Sequence, residues 1–85
     1  MFKIIISKNV AKFYESLDDE TISRINKAIE EISMNPFLGI NIKKLKGELK
    51  GFYRYKIGDK KIVYSIDDKI KIVSIVWIGN RKDAY

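Results

Sequence analysis

The sequence contains no cysteine and no histidine, and only one of its 85 residues is proline. Without cysteine or histidine there is no thiol nucleophile, no Ser-His-Asp triad, no paired-histidine nuclease site and no zinc site built on these ligands. No disulfide can stabilise the fold, so the burial of apolar side chains must do so, which a chain of this length achieves marginally. These absences exclude many common hydrolytic active sites.

Long apolar runs are also missing. The apolar start of the chain, residues 1–6, is too short for the core of a signal peptide and lacks a small-residue cleavage site. No stretch approaches the roughly 20 apolar residues that a bilayer-spanning helix needs. With the lack of cysteine, this favours a cytoplasmic protein with no membrane segment.

The positive charge is unevenly distributed. The chain carries 17 Lys and Arg against 11 Asp and Glu, a formal net charge of +6. Residues 1–42 hold 5 basic and 6 acidic side chains, a net of −1, whereas residues 43–85 hold 12 and 5, a net of +7. A use of lysine that is uniform along the chain would not produce this asymmetry. We therefore expect a basic surface, suited to an acidic partner such as a nucleic acid, in the second half.

The first half predicts two helices. Apolar residues recur at the spacing of one helical face, first at Val10, Phe13, Tyr14 and Leu17, then at Ile22, Ile25, Ile29 and Ile32. Ser7 or Asn9 can cap the first helix, and the pair at residues 18–19 separates it from the second. Asn35-Pro36 ends the second helix, because the residue before proline is disfavoured in the α region.

Strands are predicted on either side of the helices, at residues 2–6, 52–57, 61–66 and 69–78, with a loop at 37–51. The first of these is expected to be buried. The order β-α-α-β-β-β predicts an α+β fold in one domain spanning residues 1–85. Its helical hairpin packs on one face of a small, mostly antiparallel sheet.

Alternation along the strands predicts which side chains share a face. In the strand at 52–57, Tyr53, Tyr55 and Ile57 form the natural core side, so Arg54 and Lys56 point the other way. In the next strand, Ile62, Tyr64 and Ile66 form the core set, which places Lys61 and Val63 on the opposite side. Because the turn between these strands is short, the three cations are expected to form one patch. An ordinary solvated sheet face, on which lysines deter edge pairing, is the alternative.

Four segments in order carry a family resemblance: KLKG at residues 44–47, GFYRYKIGD at 51–59, KIVY at 61–64 and GNRKDAY at 79–85. The set resembles the RelE/ParE toxin superfamily over the whole chain. The resemblance implies the RelE-like microbial ribonuclease fold. It also implies a ribosome-dependent endoribonuclease that cuts messenger RNA in the decoding site, with a RelB-like antitoxin, the ribosome and messenger RNA as partners.

The same resemblance implies the site residues. The catalytic candidates are Arg54, Lys56, Lys61, Arg81 and Tyr85, and Lys46 is a candidate RNA contact. Lys43 and Lys44, in the same basic stretch of the loop, are further candidate RNA contacts. The chemistry suits these residue types, because RNA supplies its own nucleophile, the 2′-hydroxyl. The enzyme has to orient its attack, stabilise charge at phosphorus and move two protons. This chemistry needs no metal and no other cofactor.

Two positions depart from the family pattern, and two other functions stay open. Lys61 stands where arginine is commoner, and Asn80 replaces a frequent histidine. One alternative is a ParE-like inhibitor of DNA gyrase. The other is a non-catalytic domain that binds nucleic acid through phosphate contacts alone, with an affinity that falls steeply with salt.

Overall fold

The computed structural model describes residues 1–80, which form two helices and a five-stranded sheet. The elements in chain order are β1 (Lys3–Ile6), α1 (Lys8–Glu15), α2 (Asp19–Met34), β2 (Ile42–Lys44), a short 3-10 turn (Gly47–Leu49), β3 (Phe52–Ile57), β4 (Lys60–Asp67) and β5 (Ile72–Asn80). The strand order is β1-β5-β4-β3-β2. Only the β1–β5 pair is parallel among these strands. The predicted α+β fold and its mostly antiparallel sheet are confirmed.

The predicted loop at residues 37–51 is wrong in one respect, because it contains the strand β2. Ile42 lies opposite Tyr55, Lys43 opposite Arg54 and Lys44 opposite Tyr53. A three-residue strand with two lysines has no alternation by which the sequence could reveal it. Its pairing with β3 is a tertiary contact that local pattern does not encode.

The helices begin and end close to where their sequence signals predict. Ser7, rather than Asn9, caps α1: its Oγ accepts a hydrogen bond from the Val10 amide at 3.4 Å. Asp18 precedes α2, and two acidic residues occupy the first turn of that helix, where the helix dipole favours them. Beyond α2, the Asn35 side chain accepts from the amides of Phe37 and Leu38, which turns the chain away from the helix axis.

The core lies between the helices and one face of the sheet, which we call the inner face. Its helical members are Val10, Ile25, Ala28 and Ile32, and its strand members are Tyr55, Ile62, Tyr64, Val73, Ile75 and Ile78. Both helices therefore cover one face, as predicted. In the described part of the chain, neither helix is long and apolar enough to cross a membrane.

The first strand is not buried as expected. Ile5 and Ile6 are 45% and 42% exposed, because β1 lies at the edge of the sheet and contacts a strand on one side only. The final strand also begins later than predicted. The carboxylate of Asp67 accepts from the amides of Lys69 and Ile70, and Lys71 has a φ of +56°, so this segment is a turn.

A β-bulge interrupts β5 at Val76. Val63 lies opposite Trp77 while Tyr64 lies opposite Ile75, so Val76 is the extra residue. The bulge shifts the alternation by one position. The buried hydrophobic side chains of β5 are accordingly those of Val73, Ile75 and Ile78. Trp77 and Gly79 consequently lie on the face away from the helices, which we call the outer face.

Candidate functional site

Four cations lie on the outer face in two adjacent rows. Lys43 of β2 lies opposite Arg54 of β3, and Lys56 of β3 lies opposite Lys61 of β4. Directly paired residues share a face, with Cβ atoms about 5 Å apart. We call these four residues the basic face. The predicted juxtaposition of Arg54, Lys56 and Lys61 is thus present, and Lys43, a predicted RNA contact, joins it.

The neighbours of these cations on β3 confirm the predicted orientation. Tyr55, between Arg54 and Lys56, is only 6% exposed and belongs to the core. Its hydroxyl donates to a carboxylate oxygen of Glu31 on α2 at 2.7 Å. Burial, and secondly this hydrogen bond, raise the pKa of Tyr55 above its ordinary value. The tyrosine therefore anchors β3 to the helical layer and leaves Arg54 and Lys56 on the outer side.

No carboxylate neutralises the basic face within residues 1–80. The two ion pairs there join Lys60 to Asp59, at the hairpin turn, and Lys71 to Asp68, and neither includes a member of the basic face. Arg54 instead donates from Nη1 to the backbone carbonyl of Asn41 at 3.1 Å, which directs its guanidinium towards β2. Like charges placed opposite each other destabilise a sheet. A cluster that no carboxylate in residues 1–80 neutralises is therefore a candidate site for an anionic ligand.

The outer face also has apolar members. Val63 lies there as predicted, opposite Arg54, but it is only 1% exposed, so this part of the outer face is not open to solvent. Trp77 lies opposite Val63 in the next strand. Sequence reasoning assigned no role to Trp77. The face on which Trp77 lies follows from the spacing of the buried residues in β5. That spacing depends on the bulge, which a continuous run of apolar residues in the sequence does not reveal.

Trp77 closely contacts Gly79 and Lys61 on this face. Its indole covers Gly79 so closely that a Cβ atom at position 79 would lie 2.4 Å from the ring carbon Cζ2. The ammonium nitrogen of Lys61 lies 5.6 Å from the centroid of the same ring, within the range of a cation–π interaction. Lys61 and Gly79 are also directly opposite in the ladder.

The other two predicted RNA contacts lie elsewhere. Lys44 is opposite Tyr53 and so belongs to the inner-face register, at the exposed edge formed by β2. Lys44 and Lys46, with Lys50, line a hollow of about 300 Å³ around the loop after β2. The structure thus separates the predicted set into Lys43 on the basic face and a second, lysine-lined hollow.

Two predicted catalytic residues, Arg81 and Tyr85, lie outside the described residues. Within the described part, no group of three or more acidic side chains is arranged to hold a metal ion.

A cleft between α2 and the end of β3 also includes Lys56, and Glu31 is its acidic member. It has a volume of about 280 Å³, and its cationic lining comes from Arg24 and Lys27 of α2 and from Lys56. The guanidinium of Arg24 packs closely against the backbone at Gly58, where a Cβ atom would lie 2.8 Å from its Nη2. Sequence reasoning did not single out Arg24 or Lys27, because they are isolated charges in the first half of the chain.

The sequence matches a known family profile. Residues 4–85 match the profile described as the ParE toxin of type II toxin–antitoxin systems. The chain therefore belongs to the RelE/ParE superfamily of toxins. None of the curated proteins matches it in sequence.

Solved structures of toxins share the fold. The archaeal RelE–RelB complex from Pyrococcus horikoshii OT3 contains a chain that is 26% identical, with a TM-score of 0.83 and 98% of each chain covered. A YoeB–YefM complex from Staphylococcus aureus is 25% identical, with a TM-score of 0.74 and coverage of 100% of this chain and 99% of the other. The isolated RelE toxin of E. coli is 19% identical, with a TM-score of 0.81. The match covers 99% of this chain and 88% of that toxin, which has the same fold. The predicted superfamily and fold are confirmed.

Proposed function

We propose that this toxin is a ribosome-dependent endoribonuclease that cuts messenger RNA in the decoding site and so inhibits translation. The observation that carries the proposal is the pairing of Lys56 with Lys61 beside Arg54, with no carboxylate to neutralise them within residues 1–80. A phosphodiester in the cleavage transition state carries extra negative charge, and fixed cations stabilise that charge. The cost of placing like charges opposite each other is consistent with a surface selected for binding an anion.

The proposed reaction uses the 2′-hydroxyl of the RNA as nucleophile. This oxygen loses its proton to a base and bonds to the adjacent phosphorus. The bond from phosphorus to the 5′-oxygen breaks, and that oxygen takes up a proton. The products are a 2′,3′-cyclic phosphate and a 5′-hydroxyl. Lys61 and Arg81 suit the stabilisation of the phosphate, and Lys56 and Tyr85 are the two candidates for the base.

The RNA contacts follow from the two lysine clusters. Arg54 and Lys43 extend the basic face towards β2, where they would bind the phosphates next to the scissile one. Lys44 and Lys46, in the hollow beyond, would bind the strand farther along. Such contacts are independent of sequence and add affinity that falls with salt.

Primer extension on messenger RNA from cells that express the protein tests the proposal directly. We expect cuts that are phased with codons and that require translation. Lys56→Ala and Arg81→Ala should each relieve growth inhibition, whereas Lys69→Ala, a change in the exposed turn before β5, should not. If both site variants remain fully toxic, the assigned site is wrong, and RNA that binds without being cut would indicate a binding domain.

The match to the ParE family profile favours a second candidate, inhibition of DNA gyrase. This function would leave messenger RNA intact and produce DNA damage in expressing cells. A supercoiling assay with purified gyrase separates the two candidates. Inhibition at stoichiometric toxin without RNA cleavage would establish the second.

We also propose a RelB-like antitoxin as partner, with both proteins in the cytoplasm and the toxin acting as a single domain. The solved complexes of RelE with RelB and of YoeB with YefM support such a partner. The basic face suits an acidic partner, and exposed Met34, Leu38 and Ile40 offer it apolar surface to cover. The two proteins should elute together from a sizing column at physiological salt. Separate elution would contradict the proposal.

A further inference from the structure

Trp77 reaches the outer face because of the bulge at Val76. Without that extra residue, alternation from Val73 and Ile75 would turn Trp77 into the core. Bulges are frequent next to functional sites, where they redirect a side chain. Here the redirected side chain lies beside Lys61, a member of the basic face.

Gly79 provides the space that the indole occupies. With a Cβ at this position only 2.4 Å from Cζ2, any larger residue would displace the ring. The ring position therefore depends on Gly79 beneath it. Because Gly79 is directly opposite Lys61 in the ladder, the indole is held next to the lysine side chain.

A lysine ammonium depends more than an arginine guanidinium on a neighbouring aromatic ring to fix its position. Its ammonium is a compact charge on a flexible four-carbon chain, whereas a guanidinium orients itself on a phosphate through a planar pair of donors. No carboxylate holds the Lys61 ammonium within residues 1–80, and the indole at 5.6 Å is its observed contact. An aromatic face attracts the ammonium without neutralising its charge. The charge thus stays available to a ligand.

We propose that Trp77 is a positioning residue that holds the ammonium of Lys61 where it stabilises the scissile phosphate. Gly79, which has no side chain, leaves the space that the indole occupies. This inference rests on the proposed nuclease function. It predicts that the contribution of Trp77 to cleavage passes through Lys61. Loss of either side chain then removes the same stabilisation.

A double-mutant cycle with single-turnover cleavage on programmed ribosomes tests the coupling. Trp77→Leu, which keeps an apolar side chain but removes the aromatic face, should lower the cleavage rate about tenfold in the Lys61 chain. In a Lys61→Met chain the same change should cost less than about twofold. Trp77→Phe should recover most of the rate. Equal losses in both backgrounds would overturn the inference, because a purely structural role for Trp77 does not depend on the lysine.

Phe2→Leu is the matched control. Lys71 lies 5.2 Å from the Phe2 ring, which is the same type of contact at a distance from the basic face. Its loss should leave the cleavage rate unchanged. A decrease equal to that of Trp77→Leu would mean that any loss of a cation–π pair disturbs the protein, and this would also overturn the inference.

A measurement that needs no activity separates the two proposals. In a carbon-edited NMR spectrum, the ε-methylene protons of Lys61 should show an upfield ring-current shift that Trp77→Leu abolishes. A wild-type chain that cuts no RNA would refute the nuclease function, even with the ring-current shift present. Cleavage with no ring-current shift and no coupling would refute the positioning role alone.

Discussion

The hydroxyl of Tyr64, on the central strand β4, donates a hydrogen bond to the backbone carbonyl of Pro36 at 2.7 Å. Tyr64 is fully buried, and its ring stacks on Tyr53 with centroids 5.8 Å apart. This contact ties the segment after α2 to the middle of the sheet. The only proline of the chain thus ends a helix and also supplies the acceptor that satisfies a buried hydroxyl.

Tyr64→Phe should destabilise the fold and change its response to alkali. Loss of the hydrogen bond leaves the Pro36 carbonyl without this donor and should cost about 1–2 kcal/mol at pH 7. Burial raises the pKa of Tyr64 well above its ordinary value. The stabilisation from keeping the phenol neutral is therefore complete below about pH 10 and decreases above it, where the unfolded chain loses its proton first. Urea unfolding between pH 8 and pH 11 should show a shallower alkaline loss in the variant, and an identical slope in both proteins would contradict this.

Two substitutions separate the contribution of the hydrogen bond between Tyr55 and Glu31 from that of the Glu31 charge. Tyr55→Phe removes the donor and should cost about 1 kcal/mol, because the acceptor lies at an exposed position. Glu31→Gln keeps a carbonyl acceptor and should cost less. Thermal unfolding of the two variants provides the comparison. A larger loss for Glu31→Gln would mean that the charge of Glu31, rather than the hydrogen bond, stabilises the packing of α2 on β3.

Gly79→Ala should displace the indole of Trp77 and destabilise the fold by about 1–3 kcal/mol through overpacking. Trp77 is the single tryptophan, so its fluorescence reports the displacement directly. Gly47→Ala is the contrasting variant, because Gly47 has open space around it and a φ of +68°. It should cost about 1 kcal/mol through backbone strain alone. Trp77→Ala should relieve the cost at Gly79 and leave that at Gly47 unchanged.

Lys56→Met should make the protein slightly more stable while it abolishes the proposed activity. Lys56 lies directly opposite Lys61, so its removal relieves repulsion worth about 0.5 kcal/mol at low salt. In 1 M salt the Debye length is about 3 Å, and the gain should disappear. Urea unfolding at both salt concentrations measures the effect, with Lys69→Met in the exposed turn as control. A gain that persists in high salt would show that packing, not charge, is responsible.

Lys43 and Lys44 are adjacent in sequence but take opposite faces of β2, so they test which of the two proposed RNA surfaces binds more strongly. Lys43→Met should weaken binding of the messenger RNA and reduce its salt dependence by about 0.7 in the log–log slope, the value for one phosphate contact on a single strand. Lys44→Met should have a smaller effect, since it lies in the register of Tyr53. The measurement is affinity for a short RNA across a salt series. The reverse ranking would make the hollow beside Gly47, rather than the basic face, the stronger RNA contact.

Much of the fold was predictable from the periodicity of apolar residues and from the residues that begin and end helices. The helical spacing of Ile22, Ile25, Ile29 and Ile32, the cap at Ser7 and the stop at Asn35 are local signals, and the helices lie where these signals predict. The alternation in β3 predicted which side of the sheet carries Arg54 and Lys56. Local signals succeed here because one buried face dictates the phase of each element.

The remaining features needed the assembled sheet. A three-residue strand at Ile42–Lys44 exists only through its pairing with β3, and it turns Lys43 onto the basic face. The edge position of β1 exposes isoleucines that composition alone would bury. Neither fact is visible in one segment, because each depends on which strand lies beside it.

The sequence by itself determined the helices, the superfamily, the excess of charge in the second half and the absence of histidine and cysteine chemistry. Only the tertiary structure decided that Lys56 and Lys61 are directly opposite and that Trp77 lies over Gly79. The reason is physical. Composition and period are properties of the chain, whereas register and a one-residue bulge are properties of paired strands, and a shift of one position moves every side chain to the other face.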